Sequence, residues 1–259
     1  MDWFEVISEN FMVDGGSPRY HLEQLQAAYP VVPHGVSMSL AGTPHPDHLT
    51  RLTQLVRRLA PPWVSDHLCF TGAPHANGHE LFPVPYTVAL RDTIVDRIRR
   101  VQDTLGVPLA VENVSSYLTW KASTMPEWEF LAEVVERADC AVLLDVNNIY
   151  VSAWNHGFDP MAYLEAIPFD RVVQVHLAGH SLKRTADLPG AAPEDSREYR
   201  LDTHSGPVSD PVLALYREAI RRIGPVSTLV EWDDDIPPFA RLAEEARTVR
   251  ALRDEVLDG

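Results

Sequence analysis

Eleven histidines stand in this chain, and several fall beside Asp or Glu at the ends of short apolar runs. In chain order these ends carry His34 in Pro33-His34-Gly35, Asp66-His67, Glu112-Asn113, and Asp145 with Asn147 and Asn148. His176 in Val175-His176-Leu177 and Glu231 in Val230-Glu231-Trp232 follow, and one further run leads into Glu9-Asn10. A single His or Asp at such a place is most often a satisfied core residue or a helix cap. Six together are different, because ionisable groups gathered in a low-dielectric funnel are costly unless they pair or coordinate a metal. Two loop groups extend the set. His180 lies four residues beyond His176, and Asp202-Thr203-His204 is an Asp-x-His whose two side chains share one face of an extended segment. Imidazole and carboxylate, with no Cys at the matching positions, suit iron, manganese or zinc and do not resemble a structural thiolate zinc site. These donors exceed what one ion can use, so more than one ion is expected.

The elements that must position these residues are short β-rich runs alternating with helical periods. Strands are predicted over Trp3–Ser8, Val31–Ser37, Trp63–Cys69, Val107–Asn113, Ala141–Asn147, Arg171–Leu177 and Val226–Trp232. Helices are predicted over Asp47–Leu59, Thr87–Leu105, Glu127–Ala138, Pro160–Ile167, Pro211–Ile223 and Phe239–Leu257, several with Pro at the start or Gly just past the end. Runs such as Ala141-Val142-Leu143-Leu144 are apolar throughout, as strands buried on both faces are. The alternation predicts one α/β domain over residues 1–259, a (β/α) barrel with a parallel sheet and its functional residues at the carboxyl ends of the strands. The count is seven strands where a closed barrel of this class has eight. Either the barrel is open, or the first strand lies upstream of Met1 and is missing. Two long polar connections, Thr71–Pro85 and Gly179–Asp210, follow strand ends and are expected to be functional; the second includes an acidic stretch, Glu194-Asp195. Loop histidines His75, His79 and His156 are candidates for a pocket mouth, whereas His21, His45 and His48 read as helix or turn residues. The run Asp233-Asp234-Asp235 reads equally as a helix entry or as support behind the ligands.

Composition narrows the function classes. A net charge of −15 leaves no basic surface for phosphates, which argues against nucleic acid. No basic n-region or apolar h-region opens the chain, and no apolar run approaches a membrane span. Cys69 and Cys140 lie in strand-like runs, so a disulfide framework is not expected and a reduced, cytoplasmic protein is. Cys69 reads as a core residue.

At this point the motifs resemble a known family. Trp3-Phe4-Glu5-Val6-Ile7-Ser8-Glu9-Asn10, His34-Gly35-Val36-Ser37, Ser65-Asp66-His67-Leu68 and Glu112-Asn113-Val114-Ser115-Ser116-Tyr117 carry the resemblance. So do Leu144-Asp145-Val146-Asn147-Asn148, Asn155-His156-Gly157, His176-Leu177-Ala178-Gly179-His180, Asp202-Thr203-His204 and Glu231-Trp232-Asp233. Over nearly its whole length the chain resembles the multinuclear non-haem iron-dependent oxidative enzymes, the group that includes the methanobactin-biosynthesis oxidase. The resemblance implies a triosephosphate-isomerase-type barrel, xylose-isomerase-like, here lacking the first strand and helix of its relatives. It further implies two or three iron ions, dioxygen as co-substrate, a Cys-containing precursor peptide as substrate and a small leader-binding partner protein. By motif, His34, His67 and Glu112 are implied to hold one iron, and Glu112, Asp145, His176 and Glu231 a second, with Glu112 shared. Asn148, His180, Asp202 and His204 are implied to hold a third. Glu112, Asp145 and His176 are the residues implied to carry the reaction. Read from the residues without the resemblance, the same donors also suit a metal-dependent hydrolase or isomerase of the xylose-isomerase-like barrel type, or a metal-binding protein without turnover.

Overall fold

A computed structural model describes residues 1–42, 46–73, 76–190, 192 and 196–259. His45, His75, the side chain of His79 and the Glu194-Asp195 stretch lie outside the described residues. The chain runs β1 (Phe4–Ile7), α1 (Ser8–Phe11), α2 (Gly16–Ala28), β2 (Val31–Gly35), α3 (His48–Leu59), β3 (Val64–His67), β4 (Phe70–Ala73), β5 (Ala76–Phe82), α4 (Val88–Leu105) and β6 (Leu109–Glu112). It continues with α5 (Glu127–Ala138), β7 (Ala141–Asp145), α6 (Val146–His156), α7 (Pro160–Ala166), β8 (Val172–Ala178), β9 (Ser181–Arg184), β10 (Glu198–Leu201), α8 (Asp210–Ile223), β11 (Ser227–Glu231) and α9 (Phe239–Asp258). Seven strands form one sheet in the order β1-β2-β3-β6-β7-β8-β11, and all the predicted strands are among them. The strands between them in sequence form two antiparallel pairs, β4 with β5 and β9 with β10.

The structure divides into two compact units, Met1–Val114 with Thr119–Leu143 and Arg171–Val173, and Ser115–Leu118 with Leu144–Asp170 and Gln174–Gly259. In the first unit, β2, β3 and β6 are buried at every residue, as parallel strands covered on both faces must be. One core cluster gathers Val6, Leu22, Val31, Leu55 and Leu59. Burying a Leu or Val side chain of this kind contributes about 1.5–3 kcal/mol. Helix α3 faces inward with Leu52, Leu55, Val56 and Leu59, the stripe its sequence period predicts. Thr87 caps α4, its side chain accepting from Leu90 N–H, and Gly106 ends that helix at φ 72°, where a Cβ would be strained.

In the second unit, Asp145 ends β7 and caps α6 in one step, its side chain accepting from Asn148 N–H, and Gly157 closes the helix at φ 72°. The sequence reading carried strand through to Asn147. The structure turns helical at Val146 because the Asp145 carboxylate satisfies a first-turn N–H that would otherwise have no partner. Helix α2 was not expected either. It buries only Leu22, too few apolar positions to leave a period in the sequence.

Candidate metal centres

The first cluster is assembled by parallel register in the first unit. Register sets His34 beside Ser65, Gly35 beside Asp66, and His67 beside Glu112. His34 Nε2 and His67 Nε2 then lie 3.4 and 3.1 Å from the same oxygen, Glu112 Oε2. All three residues are buried. The far nitrogens are tied back: His34 Nδ1 is 2.9 Å from Ser65 Oγ, and His67 Nδ1 donates to the Gly35 carbonyl at 3.1 Å. A carbonyl oxygen only accepts, so that bond places a proton on Nδ1, and a neutral His67 presents its Nε2 lone pair to a carboxylate oxygen. A cation standing between the two would bind both. Two imidazole nitrogens and one carboxylate with their ligand atoms within 4.8 Å of one another are a donor set for a divalent transition ion. Ser65 and the Gly35 carbonyl supply the outer bonds that orient metal-binding imidazoles.

Beneath this cluster, Asp66 is fully buried and accepts from His67 N–H at 2.7 Å and Met38 N–H at 3.1 Å. Burial and then the Glu9 charge push its carboxyl well above the usual carboxylate range, against those two hydrogen bonds. It points away from His67, as neighbours in a strand do, and sits so close to Gly35 that a Cβ there would collide with its carboxylate. Cys69 is buried, free of any disulfide, and its thiol is pushed up by burial and by Asp66 and Glu112, so it is an inert core residue as expected. Glu9 accepts from Val36 N–H at 3.1 Å and from His48 Nε2 at 3.0 Å. Burial alone would raise the Glu9 carboxyl, but the His48 bond and its neighbours outweigh it and leave the group lowered from 4.5. A carboxylate lowered on folding stabilises the fold above its unfolded pKa, and that contribution is lost as pH falls through the folded value. Glu9→Gln is therefore expected to cost about 1–3 kcal/mol near neutral pH. Urea unfolding of parent and variant between pH 7 and 3 checks this: the gap should close on the acid side, and a gap that does not change with pH would refute the assignment.

The second cluster lies in the second unit. His176 is fully buried, with Nδ1 3.1 Å from Glu231 Oε1 and Nε2 2.6 Å from the Gln174 side-chain amide, a group that donates or accepts according to its flip and fixes the ring. Ligand atoms of Asp145, His204 and Glu231 lie within 4.8 Å of one another, and those of Asp145 and His176 likewise. His204 stands at φ 47°, an uncommon conformation for a residue with a Cβ and one that clusters at functional sites. Its Nε2 is 2.8 Å from Asp202 Oδ1, so the two side chains meet each other directly, and its Nδ1 is 3.0 Å from Asp233 and 3.5 Å from Glu231. Burial opposes its charge, but the hydrogen bonds to Asp202 and Asp233 and the charges of Asp202 and Glu231 push the imidazole up to about 12. Of the two roles weighed for the acidic run, Asp233 takes the supporting one.

The residues expected at a third ion are placed differently. His180 Nδ1 donates to Asn147 Oδ1 at 2.7 Å, and Arg200 Nη1 donates to His180 Nε2 at 2.8 Å. Asn147 Nδ2 donates to Asp202 Oδ1 at 2.7 Å. Asn148 gives its backbone N–H to Asp145, and its side chain is buried. Burial and then the Arg200 charge hold His180 down to about 4. His156 is taken up by Ser116, 2.8 Å from its hydroxyl.

Sequence reasoning missed Ser65, Gln174, Arg200 and the Glu9–His48 pair. For Ser65 and Gln174 a signal existed: each is a polar residue two places before a histidine in a buried strand, and so shares its face. Arg200 carried none, because β10 is a short strand in a polar connection.

The family described as RiPP precursor modification enzyme MbnB/TglH/ChrH matches residues 1–254. A UPF0276 protein of Anaeromyxobacter sp. (strain Fw109-5) is 51% identical over 249 residues, 95% of this chain and 83% of that protein. A UPF0276 protein of Caulobacter vibrioides (strain NA1000 / CB15N) is 49% identical over 253 residues, 97% of this chain and 86% of that one. Among solved structures, a xylose isomerase-like TIM barrel protein from Mycobacterium smegmatis in complex with magnesium aligns at TM-score 0.58 and 14% identity, covering 94% of this chain and 80% of that chain. A D-psicose 3-epimerase in the presence of D-fructose aligns at TM-score 0.56 and 14% identity, covering 100% and 90%. At such identities the likeness establishes the fold, a triosephosphate-isomerase-type barrel of the xylose-isomerase-like kind. Among the described residues no helix is long and apolar enough to cross a membrane.

Proposed function

From a chain that belongs to the RiPP precursor modification enzyme family MbnB/TglH/ChrH, we propose an iron-dependent oxidase that modifies cysteine residues of a ribosomally made precursor peptide with dioxygen. The observation that carries the iron assignment is the convergence of His34 Nε2 and His67 Nε2 on one oxygen of Glu112, with both far nitrogens tied back. Two imidazoles and a carboxylate are the donor set of non-haem ferrous oxygenases, which keep open positions for substrate and oxygen. In this reading His34, His67 and Glu112 hold one ion, and Asp145, His176 and Glu231 hold another. Bound iron supplies the electron transfer between the substrate and dioxygen, and lowers the pKa of a coordinated thiol so that it binds as thiolate. The Gly35 carbonyl holds His67 in its tautomer, Ser65 holds the ring of His34, and Gln174 holds the ring of His176. Asp233 and Asp202 anchor His204 beside Glu231. A small protein that captures the leader segment of the peptide completes the proposed system.

The test is oxygen-dependent turnover. The full chain loaded with ferrous iron is given a Cys-containing peptide encoded beside its gene, with and without a co-encoded small partner. Oxygen uptake matched by a mass change confined to the Cys-bearing segment is the expected result. A metal-dependent isomerase or hydrolase would instead turn over anaerobically with manganese or zinc, and that outcome would sink the oxidase reading.

A further inference from the structure

Arg200 is a fixed cation where the resemblance implies a metal. It lies on β10, paired antiparallel with β9, and its backbone is held on both sides by Asn155: Arg200 N–H donates to Asn155 Oδ1 at 2.8 Å, and Asn155 Nδ2 donates to the Arg200 carbonyl at 2.9 Å. The guanidinium carbon stands 4.3 Å from the centre of the Trp154 ring and 5.2 Å from that of Tyr150, where the ring faces attract the charge. Its Nη1 donates to His180 Nε2 at 2.8 Å. Among the described residues no carboxylate lies within ion-pair distance of it, and its buried Nε has no hydrogen-bond partner. The guanidinium therefore spends its charge on an imidazole.

The donors expected around a third ion do not fit one in this arrangement. An imidazole has two nitrogens, and His180 uses both: Nδ1 donates to Asn147, and the lone pair of Nε2 accepts from Arg200. No lone pair is left for a metal. Asp202 Oδ1 already accepts from Asn147. An arginine is protonated at every accessible pH, so a divalent ion brought onto His180 would also meet a permanent positive charge one hydrogen bond away.

We infer that Arg200 stands in for the third metal ion in this chain, occupying the lone pair of His180. The chain then carries two metal centres and a guanidinium, and the His180–Asn147–Asp202 chain of hydrogen bonds is a structural link rather than a ligand set. Removing the guanidinium frees His180 Nε2 while Asn147 still orients the ring through Nδ1, which is how metal-bound imidazoles are held.

This inference rests on the metal-centre reading above, and one experiment separates the two. Parent, Arg200→Ala, Arg200→Met, His180→Ala and the Arg200→Ala/His180→Ala double variant are loaded anaerobically with ferrous iron, desalted and assayed for iron per chain, with circular dichroism as the folding control. The expected increment is one additional ion in both Arg200 variants, absent in the double variant, with His180→Ala equal to parent. Arg200→Met keeps the apolar stem against Trp154, so the increment is readable even if Arg200→Ala misfolds. No increment in either Arg200 variant, or a loss of one ion in His180→Ala, overturns the inference. The absolute count in the parent tests the two-centre reading, whereas the increment tests this inference whatever that count is.

Discussion

Glu112→Gln is expected to empty the His34–His67 centre and to lower turnover by more than about 100-fold. The glutamine fills the volume of the glutamate, and the site is buried at the end of β6 between packed strands, so the fold should survive. What changes is charge. A carboxylate oxygen that faces two imidazole nitrogens becomes half of a neutral amide, and a divalent ion loses its anionic donor. Losses in the shell of bonds behind metal ligands already cost 10–100-fold; losing a ligand should cost more. Ser65→Ala provides the comparison on the same centre, because Ser65 touches only the far nitrogen of His34. Its metal affinity should fall within that 10–100-fold range while iron at saturation is retained. The measurements are iron per chain and peptide oxidation rate, with circular dichroism as the folding control. Parent-like iron and rate in Glu112→Gln would remove this cluster from the mechanism.

Gly179→Ala should be the most damaging small substitution in the second unit. A Cβ at Gly179 would fall inside contact distance of the Gly206 carbonyl oxygen, 2.6 Å from its carbon and 2.9 Å from the Pro207 oxygen. All of these are backbone atoms, so no side chain can rotate away. The same Gly179 carbonyl accepts from His204 N–H at 2.9 Å, which means the methyl pushes on the segment that sets His204 against Glu231 and Asp202. Overpacking of this kind costs about 1–3 kcal/mol and occasionally more. For a chain of this size that is a fall in melting temperature of several degrees, at about 2–4 °C per kcal/mol. Iron at the second centre should fall as well. Gly157→Ala is the control: nothing lies within 4 Å of its added Cβ, and only the left-handed backbone at φ 72° opposes it, a cost of about 1–2 kcal/mol without effect on metal. If both variants melt alike and keep their iron, the Gly179 approach is not what seats the His204 segment.

The strand ends were legible in the sequence because a parallel strand buried on both faces is apolar until the residue that must not be. Val-Val-Pro before His34, Leu-Ala-Val before Glu112 and Ala-Val-Leu-Leu before Asp145 each announce a strand and its functional end together. Seven strands could be counted for the same reason. Asp202 and His204 were legible as candidates, but the conformation that joins them was not: His204 stands at φ 47°, outside an extended chain. Helix α2 was not legible, because one buried leucine leaves no period.

What the residue order by itself determined is which groups are available: the imidazoles and carboxylates, their places at strand ends, and the absence of thiolate among them. Only the tertiary structure decided which of them meet, and on which atom. Parallel register, a property of two strands and not of either, sets His67 against Glu112 and His34 against Ser65. The Gly35 carbonyl, a backbone group that no side-chain pattern reveals, fixes which nitrogen of His67 faces that carboxylate. His180 shows the difference most directly. Its sequence place, four residues beyond His176, matches a ligand, yet the β9–β10 pairing brings Arg200 from twenty residues away onto the nitrogen a metal would need. Sequence lists the donors, whereas a lone pair can be given only once, and the fold decides to whom.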